Sequence, residues 1–419
     1  MTKCLRPIPL NIFWHLIRPN PALVNHSPAY YALLVQQKSA IFLFFLFLVR
    51  LPLLAFMPLA IFIWALHWRR QKAAGLIGLI KRQFWCDYLT HLKNAVLYGI
   101  LPSEYYYYDL ESGDYSPALY TRKYETKGMH LLLNSGSGQD IQKLKNKERF
   151  TSVCSEAGIA AASISFVLDH SPLPETLPKS SLFIKPREGI SGQNTHCFEY
   201  SNELYKNKKD GTEYNEAAFR EELTQLGTNR PYLIQPLLTN CEALKILSPG
   251  GLATVRVVTA RTTDGTYQIT DAVLRMSGSP ENITDNFNGG NIAAPIDPET
   301  GLLGAGVYNN RVGSLKDDVA THHPYTKAPI KGTCIPEWKQ VQAFCLHAHE
   351  AGFSEFVHIG WDVAITETGI MMIEGNWNPG FAMLQRLSGT PLGASALGAV
   401  LNDHFKEHLK AGTPLNGVV

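Results

Sequence analysis

The longest hydrophobic stretch of the chain lies close to its N-terminus. Between Ser39 and Trp68, the apolar runs AIFLFFLFLV and LPLLAFMPLAIFIWALHW are separated by Arg50, the single full charge of the segment. A helix over residues 40–66 would be about 40 Å long, which exceeds the roughly 30 Å hydrocarbon core of a bilayer. The pattern predicts that residues 39–68 insert into a membrane, and a buried helix of a soluble domain is the alternative.

The residues within and around this segment leave the mode of insertion open. Pro52 and Pro58 would kink a single helix, or they would turn the chain back as a shallow re-entrant segment. Basic residues lie on both sides and are denser after the segment, so the positive-inside rule gives only a weak orientation. They are Lys3, Arg6, Arg18 and Lys38 before the segment, and Arg69, Arg70, Lys72, Lys81 and Arg82 after it.

The remaining sequence divides into regions of different texture. Residues 1–38 form a leader without clear periodicity. Residues 69–129 form a basic, amphipathic helical stretch that ends in a tyrosine-rich connector. Residues 130–411 alternate between helical and strand patterns, which predicts a domain of mixed α/β character.

Periodicity also predicts the elements of that domain. Residues 278–330 are rich in Gly, Pro and Asn and are predicted to be mostly loop. The predicted helices cover 144–159, 214–227, 336–352 and 391–411, the predicted strands cover 181–186 and 231–238, and the predicted hairpins cover 254–276 and 355–376.

The second hairpin has a turn that sets its register. Residues 367–369 read as a three-residue loop in which Gly369 takes the left-handed conformation. Such a loop would pair Thr366 with Ile370 and would fix every cross-strand pair that follows.

Counting outward from that turn brings two carboxylates together. Asp362 is predicted to lie opposite Glu374, and Asn376 shares the face of Glu374 because side chains alternate along a strand. Opposed carboxylates repel each other unless a cation lies between them, and carboxylate and amide oxygens suit Mg²⁺. The spacing alone favours a metal site and a solvent-facing acidic pair equally.

A second candidate feature is a lysine at the end of a strand. Lys185 closes the strand 181–186 and precedes a loop with Gly189, Ser191 and Gly192. The lysine could carry its charge into a cleft, and the glycines could let backbone N–H groups approach phosphate oxygens, although strand-end lysines are usually solvated. No GxxxxGK[ST] sequence occurs, which excludes a P-loop, and no GxGxxG follows a strand.

Composition narrows the class of protein. The 38 Lys and Arg residues against 36 Asp and Glu leave a net charge of +2, which argues against a nucleic-acid-binding protein. Seven scattered cysteines without a CxxC pair indicate a reducing compartment. His347 and His349 do not share a helix face and the pair 322–323 has no cysteine partners, so no zinc site is expected.

Six segments, taken in order over roughly 130–400, resemble the ATP-grasp superfamily. They are NKERFTSVCSEAGI, FIKPREGISGQN, YLIQPLLTNCEAL, TVRVVTA, AVLRMSGSPENITDNFNGGNIA and DVAITETGIMMIEGNWNPG. The stretch YLIQPLLTNCEALKILSPGGLATVRVVT and the upstream SEYYYYDL look more narrowly like the sugar-transfer-associated ATP-grasp family. The resemblance implies an ATP-grasp fold, in which two α+β subdomains grip ATP between their sheets, preceded here by the hydrophobic membrane-associated helical region.

The resemblance also implies roles for individual residues. Its hinge falls near 234–238, where Gln235 stands in place of the acidic residue of many relatives. The implied ATP-binding residues are Lys147, Lys185, Glu188, Gly189, Ser191, Gly192, Gln193, Gln235, Pro236 and Leu237. The implied metal ligands are Asp362, Glu374 and Asn376. The residues implied at the reacting centre are Arg256, Arg275 and Asn286, the last in a loop that also contains Asp285, Gly289 and Gly290.

The activity implied by the resemblance is an ATP- and Mg²⁺-dependent ligation. A carboxylate would attack the γ-phosphate to give an acylphosphate, and an amine or other nucleophile would then displace phosphate. Together with the hydrophobic segment, this suggests a cell-envelope sugar or peptide precursor as substrate, with residues 40–66 at the membrane and the catalytic domain on the cytoplasmic side. The alternatives are a phosphotransferase on a hydroxyl acceptor and a non-catalytic nucleotide-binding scaffold for membrane glycosyltransferases.

Overall fold

The computed structural model describes residues 56, 58–64, 66, 82–135, 140–169, 171–187, 194–287, 290–308 and 319–411, without the side chains of 82–84, 123, 124, 127, 128, 135 and 229. The predicted leader and most of the predicted membrane segment lie outside these residues. Within the described ranges, none of the helices combines the length and the apolar character needed to cross a membrane.

The elements follow one another in the order expected for an α+β protein. The α-helices are α1 (Arg82–Tyr98), α2 (Pro102–Tyr107), α3 (Lys123–Ser135), α4 (Gln142–Lys145), α5 (Lys147–Glu156), α6 (Glu216–Asn229), α7 (Glu242–Lys245), α8 (Trp338–Gly352), α9 (Phe381–Ser388) and α10 (Ala396–Ala411), with 3₁₀ turns at Pro117–Leu119 and Leu392–Ala394. The strands are β1 (Phe166–Leu168), β2 (Leu182–Pro186), β3 (His196–Ser201), β4 (Leu204–Asn207), β5 (Glu213–Tyr214), β6 (Tyr232–Pro236), β7 (Thr254–Arg261), β8 (Tyr267–Met276), β9 (Ile292–Ile296), β10 (Gly306–Tyr308), β11 (Val319–Ala320), β12 (His358–Thr366) and β13 (Gly369–Asn376).

The described strands form two antiparallel sheets. The six-stranded sheet has the order β1-β6-β2-β3-β4-β5, and the seven-stranded sheet has the order β11-β10-β9-β8-β7-β12-β13. Helix α6 packs against the first sheet through Phe219 and Leu223. Helices α5 and α8 cover one face of the second sheet, where Trp361 lies in the core. The predicted α+β class is confirmed.

Each sheet has one apolar face and one face that carries the candidate site. Ile184 of β2 joins the hydrophobic core of its sheet, so the neighbouring Lys185 points to the opposite face. Val257 of β7 joins the core of the other sheet, which places Arg256 on the opposite face. Because side chains alternate along a strand, Lys185 and Arg256 lie on the faces of their sheets opposite the helix-covered cores.

The chain divides into two compact units. One comprises Met1–Gln139, Arg261–Thr266 and Gly380–Val419, and the other comprises Asp140–Ala260 and Tyr267–Pro379. Both sheets, apart from the tip of the β7–β8 hairpin, and every candidate site residue belong to the second unit.

The first unit has its own apolar and polar contacts. Ile100, Tyr108 and Tyr120 form a small buried cluster. The side chain of Gln385 in α9 accepts a hydrogen bond from the N–H of Thr121 at 2.9 Å and donates to its carbonyl oxygen at 3.0 Å. These paired bonds join α9 to the segment before α3.

One predicted helix differs from the structure for a local reason. The helix expected over 144–159 is two helices, α4 and α5, separated at Asn146. The Asn146 side chain accepts hydrogen bonds from the N–H groups of Glu148 and Arg149 at 3.1 and 3.0 Å, and so begins a new helix. Lys147 is consequently the first residue of α5.

The prediction of mostly loop over 278–330 is confirmed for the described residues, but it missed three short strands. The segment contributes β9, β10 and β11 to the seven-stranded sheet. The run IAAPI of β9 is short and interrupted by Pro295, which hid its strand character, yet four of its five residues are buried. Pairing with β8 and β10 stabilises strands whose local sequence carries a weak signal.

We expect Gly375→Ala to destabilise the protein because this glycine of β13 has no room for a side chain. An added Cβ would lie 2.6 Å from Leu144, 3.0 Å from Phe150 and 3.1 Å from Trp361, all in the core. Overpacking of this kind costs about 1–3 kcal/mol. The free energy of unfolding, measured by urea titration, should fall by that amount.

A matched control is available in α6. A Cβ added at Gly227 meets only Leu168, at 3.6 Å, which is ordinary contact. Gly227→Ala should therefore leave the free energy of unfolding unchanged or raise it by up to about 1 kcal/mol. Equal effects of the two substitutions would contradict the packing proposed for Gly375.

Candidate functional site

The β12–β13 hairpin has a different turn from the predicted one but the predicted carboxylate pair. Thr366 pairs with Gly369 across a two-residue turn, so the expected pair of Thr366 with Ile370 is wrong. Asp362 nevertheless lies opposite Glu374, as the sequence predicted.

A β-bulge reconciles the two observations. Val363 pairs with Met372 while the next pair joins Asp362 to Glu374, so Ile373 is an extra residue on β13. The shorter turn and the bulge each shift the register by one residue in opposite directions, and the two shifts cancel. A bulge beside a polar site also redirects the following side chains, here Glu374 and Asn376.

The two opposed carboxylates have different electrostatic environments. Burial alone would raise the pKa of Asp362, but the guanidinium groups of Arg256 and Arg275 lower it well below its usual range. The pKa of Glu374 is raised by burial and by the negative charge of Asp362. Asn376 Nδ2 donates to Glu374 Oε1 at 3.2 Å, so the amide and the carboxylate share a face as expected.

Two arginines converge on the buried Asp362. Arg256, its neighbour across β7 and β12, contacts Oδ1 through Nε and donates from Nη2 to Oδ2 at 2.9 Å. Arg275 of β8 also donates from Nη2 to Oδ2, at 2.9 Å. Arg256 is further held by the carbonyl oxygen of Pro379 at 3.3 Å.

Arg275 connects this pair to a third carboxylate. Its Nε lies 3.1 Å from Asp285 Oδ2, and its Nη2 donates to Thr254 Oγ1 at 2.7 Å. Thr254 in turn contacts Asp285 through its hydroxyl group. Arg275 therefore pairs with Asp285, but the pair is largely buried rather than a surface ion pair, with 16% and 14% of the side chains exposed.

The residues fit a divalent cation in charge and ligand type. Among the described residues, no three His, Cys, Asp or Glu side chains gather as a metal cluster, so the candidate ligands are two carboxylates and the Asn376 amide. Burial first, and then the negative charge of Asp362, raise the pKa of Glu374, and a cation between the two carboxylates would favour the charged form of Glu374. Three guanidinium N–H groups already point at Asp362, which leaves about one of its four lone pairs for a metal. Glu374 and Asn376 have fewer competing donors.

Two lysines lie together at the end of β2. Lys147 Nζ donates to the carbonyl oxygens of Pro186 and Arg187 at 3.2 and 3.3 Å. The pKa of Lys185 is lowered to about 8. Burial is the main cause, the positive charge of Lys147 acts in the same direction, and the negative charges of Glu374 and Asp362 partly oppose it. Lys185 of the six-stranded sheet is therefore affected by the carboxylates of Asp362 and Glu374, which belong to the seven-stranded sheet. The predicted phosphate-binding lysines and the predicted metal ligands thus lie in one site.

The residues of the predicted hinge make hydrogen bonds and sheet pairs within the protein. Gln235 of β6 donates from Nε2 to the carbonyl oxygens of Ala162 and Ser163 at 3.2 and 3.1 Å. The N–H of Leu237 donates to Ser181 at 2.8 Å, and Pro236 pairs with Leu182 in the sheet. The amide side chain of Gln235 thus fixes β6 to the segment that precedes β1.

The loop after β8 is organised by a residue that the sequence analysis did not single out. Asn291 accepts from the N–H of Gly278 at 3.0 Å and donates to the carbonyl oxygens of Thr284 and Asn286 at 2.8 and 3.1 Å. This buried amide holds both ends of the loop that carries Asn286 and Asp285. The Asn-Gly-Gly-Asn sequence around it was visible but pointed only to a turn.

Thr254 is the other participant that sequence reasoning missed. It lies two residues before Arg256, and the period of two along β7 would have placed both on one face.

Five predicted nucleotide-binding residues and one glycine of the acceptor loop lie outside the described residues. They are Glu188, Gly189, Ser191, Gly192, Gln193 and Gly289.

Two antiparallel sheets with cationic and carboxylate side chains on their uncovered faces define an ATP-grasp fold. The model of the sugar-transfer associated ATP-grasp family matches residues 130–396. The chain belongs to this family, which confirms the resemblance found in the sequence. No curated protein matches the chain.

Solved structures with a similar fold include three enzymes of low sequence identity. L-amino acid ligase from Bacillus licheniformis is 11% identical, with a TM-score of 0.36, over 63% of this chain and 48% of its own. N5-carboxyaminoimidazole synthetase from Staphylococcus aureus, complexed with ADP, is 11% identical, with a TM-score of 0.35, over 62% of this chain and 52% of its own. D-alanine–D-alanine ligase from Bacillus anthracis is 10% identical, with a TM-score of 0.33, over 64% of this chain and 68% of its own. The chain thus spans about half the length of the first two.

Proposed function

We propose that this protein is an ATP- and Mg²⁺-dependent ligase that activates a carboxylate as an acylphosphate and joins it to an amine or other nucleophile. The observation that carries the proposal is the pairing of Asp362 with Glu374 on the seven-stranded sheet, with Lys147 at the end of β2 and Lys185 close enough to be affected by both carboxylates. Such a set, with cations on one side and opposed carboxylates on the other, suits a polyphosphate and its metal ion.

In the proposed reaction, ATP lies between the two sheets. Lys147 and Lys185 would bind its phosphates, and Asp362, Glu374 and Asn376 would hold Mg²⁺, which when bound would neutralise charge on the phosphates. A substrate carboxylate oxygen bonds to the γ-phosphorus as the bond to the bridging oxygen of ADP breaks. The nucleophile then bonds to the acyl carbon, phosphate leaves, and the nucleophile loses a proton.

The arginines would position the first substrate. Nε and Nη2 of Arg275 already contact Thr254, Asp285 and Asp362, so Arg275 would contact a substrate carboxylate or the transferred phosphoryl group through Nη1, and Arg256 fixes the carboxylate of Asp362. Asn286 lies in the neighbouring loop and is a candidate for contact with the acceptor. The chain supplies positioning and charge, and no side chain acts as a nucleophile.

Trapping the intermediate tests the chemistry. The full chain, purified in detergent, is supplied with Mg²⁺-ATP, candidate carboxylates and hydroxylamine. An acylphosphate reacts with hydroxylamine to give a hydroxamate, and ADP is released in equal amount. A stable phosphorylated product in place of the hydroxamate would identify the phosphotransferase, and ATP binding without ADP release would favour the scaffold.

We further propose that the protein acts at the membrane through residues 40–66, with its catalytic domain on the cytoplasmic side, on a cell-envelope sugar or peptide precursor. The support is the near-absence of charge between Ser39 and Trp68, in contrast to the mixed charge of the remaining sequence. Cell fractionation of the full chain should place it with membranes. A full chain that stays in the supernatant without detergent would contradict this part of the proposal.

The buried lysine gives a pH dependence to nucleotide binding. Above a pH of about 8, Lys185 loses its charge, so the affinity for ATP should fall as pH rises through and beyond that value. Bound phosphates favour the charged form and shift the midpoint upward. Calorimetry of ATP binding across this pH range measures the effect.

Lys185→Arg is the matched variant for this test. Arginine remains charged throughout the range, so the variant should lose the pH dependence while still binding ATP. Identical pH profiles for the two proteins would show that Lys185 does not contact the nucleotide.

A further inference from the structure

Exposed apolar side chains of the first unit gather on two helices. Residues 58–64, together with Phe56 and Leu66, are helical. Phe56, Leu59 and Ile63 are spaced by three and four residues, which places them on one stripe of this helix. Their side chains are 57–68% exposed, although a buried stripe is the rule for apolar residues at this spacing.

Helix α1 carries a second stripe of the same kind. Trp85 and Leu89 are four residues apart, and their side chains are 46% and 59% exposed. Lys93 follows at the same spacing and is also exposed. The stripe thus changes from aromatic to aliphatic to basic along the helix.

The two helices pack against each other through aromatic residues, of which Trp85 also belongs to an exposed stripe. The Phe62 ring lies 6.0 Å from Trp85 and 5.7 Å from Tyr88. Tyr88 also donates to the carbonyl oxygen of Pro58 at 3.3 Å, and Trp64 lies 6.1 Å from the buried His91. Trp85 takes part in this packing and is still 46% exposed, whereas Phe56, Leu59, Ile63 and Leu89 are 57–68% exposed.

The charge of the surrounding sequence selects one kind of partner. Between residues 69 and 98 the chain has six basic residues and a single acidic one, Asp87, which is partly buried. Each basic residue near an anionic bilayer surface adds roughly 1 kcal/mol of attraction. A second copy of the chain would instead bring two basic segments together. In the sequence, the run at 40–49 is uniformly apolar.

We propose that Phe56, Leu59, Ile63, Trp85 and Leu89 form one docking face that lies in the interface of an anionic bilayer, with these helices resting on the membrane rather than crossing it. The proposal rests on the membrane association proposed above and defines its mode. Aromatic and aliphatic side chains on one face, with lysines and arginines beside them, are typical of interfacial helices.

Depth-resolved photocrosslinking of the full chain tests the docking face. The protein is reconstituted into phosphatidylglycerol-rich vesicles that contain a lipid with a photoreactive group close to the glycerol, or at the end of the acyl chain. Adducts are mapped by mass spectrometry. Shallow-probe adducts at the five residues should exceed those at Ile246, Val319 and Tyr325 by about tenfold or more. These three apolar side chains are equally exposed but lie in the second unit.

Matched variants separate the docking face from general hydrophobicity. The triple change Leu59→Glu, Ile63→Glu and Leu89→Glu should abolish the shallow adducts on both helices, whereas Ile246→Glu should leave them unchanged. Circular dichroism verifies that the exposed substitutions preserve the helices. Pure phosphatidylcholine vesicles should reduce the shallow adducts because the attraction to anionic lipid is lost.

The outcomes distinguish this proposal from the wider one. Adducts confined to residues 40–55 would overturn the docking face and leave membrane association intact. Equal labelling of the face by shallow and deep probes would show that these helices cross the bilayer, and chain-to-chain crosslinks in place of lipid adducts would identify a second copy as the partner. Failure of the chain to float with vesicles would instead contradict the membrane association itself.

Discussion

Glu374→Gln should abolish turnover and leave the fold intact. The substitution keeps the shape of the side chain and its hydrogen bond with Asn376, but it removes one negative charge from the proposed metal site. Losing an electrostatic group of this kind lowers turnover on the order of a thousandfold. ADP release under saturating Mg²⁺-ATP measures the effect.

The stability of this variant follows from the sign of the pKa shift. The pKa of Glu374 is raised by burial and by Asp362, so its charged form is disfavoured in the folded protein. At neutral pH the neutral glutamine removes that repulsion, and the melting temperature without ligand should stay the same or rise. The additional stabilisation by Mg²⁺-ATP should shrink, because binding to the folded state is weaker.

Glu367→Gln is the matched control on the same hairpin. Glu367 lies at the exposed turn, 2.6 Å from Lys245, and belongs to a surface ion pair rather than to the site. The Glu367→Gln variant should retain normal turnover and should be stabilised by Mg²⁺-ATP as much as the unchanged protein. Normal turnover of Glu374→Gln would show that the carboxylate hairpin does not hold the metal.

The hairpin illustrates how far the sequence alone leads. Alternation and the Gly369 turn predicted that Asp362 and Glu374 are neighbours, and they are. The count succeeded although its turn was one residue too long, because the bulge at Ile373 compensates. A bulge has no fixed sequence signature, since packing on both faces of the strand decides where the extra residue goes.

The parts of the site that the sequence missed are long-range contacts. Asp362 meets Arg275 across 87 residues and Arg256 across 106, and nothing local reports such a distance. The order of strands in the sheet creates these pairs, and β9–β11 within that sheet were hidden in a segment rich in loop-forming residues. The family resemblance implied that Arg256 and Arg275 face the transferred phosphate or the substrate, but only the topology reveals that both contact the carboxylate of Asp362.

That finding changes what is expected from removing Arg275. If Arg275 contacted only the substrate, Arg275→Ala would bind ATP without consuming it. In the fold, Arg275 also neutralises Asp285 and shares Asp362 with Arg256. Removing one member of a buried ion pair costs about 3 kcal/mol or more, because a carboxylate is left without its partner. A loss of activity in the single variant would therefore mix unfolding with chemistry.

A double-mutant cycle separates the two effects. Arg275→Ala with Asp285→Asn removes both the guanidinium group and the carboxylate it neutralised, and should recover about 1–3 kcal/mol of the lost stability. Turnover should remain at least on the order of a hundredfold below normal, since the in-line attack needs the acceptor and the γ-phosphate held together. Urea unfolding, ATP calorimetry and ADP release on the same preparations give the three readouts, with Asp285→Asn alone as the reference. Because Lys147 and Lys185 are unchanged, the double variant should bind ATP normally. Loss of ATP binding in the double variant would place Arg275 in the nucleotide site. Restored turnover would show that Arg275 serves only as the structural ion-pair partner of Asp285.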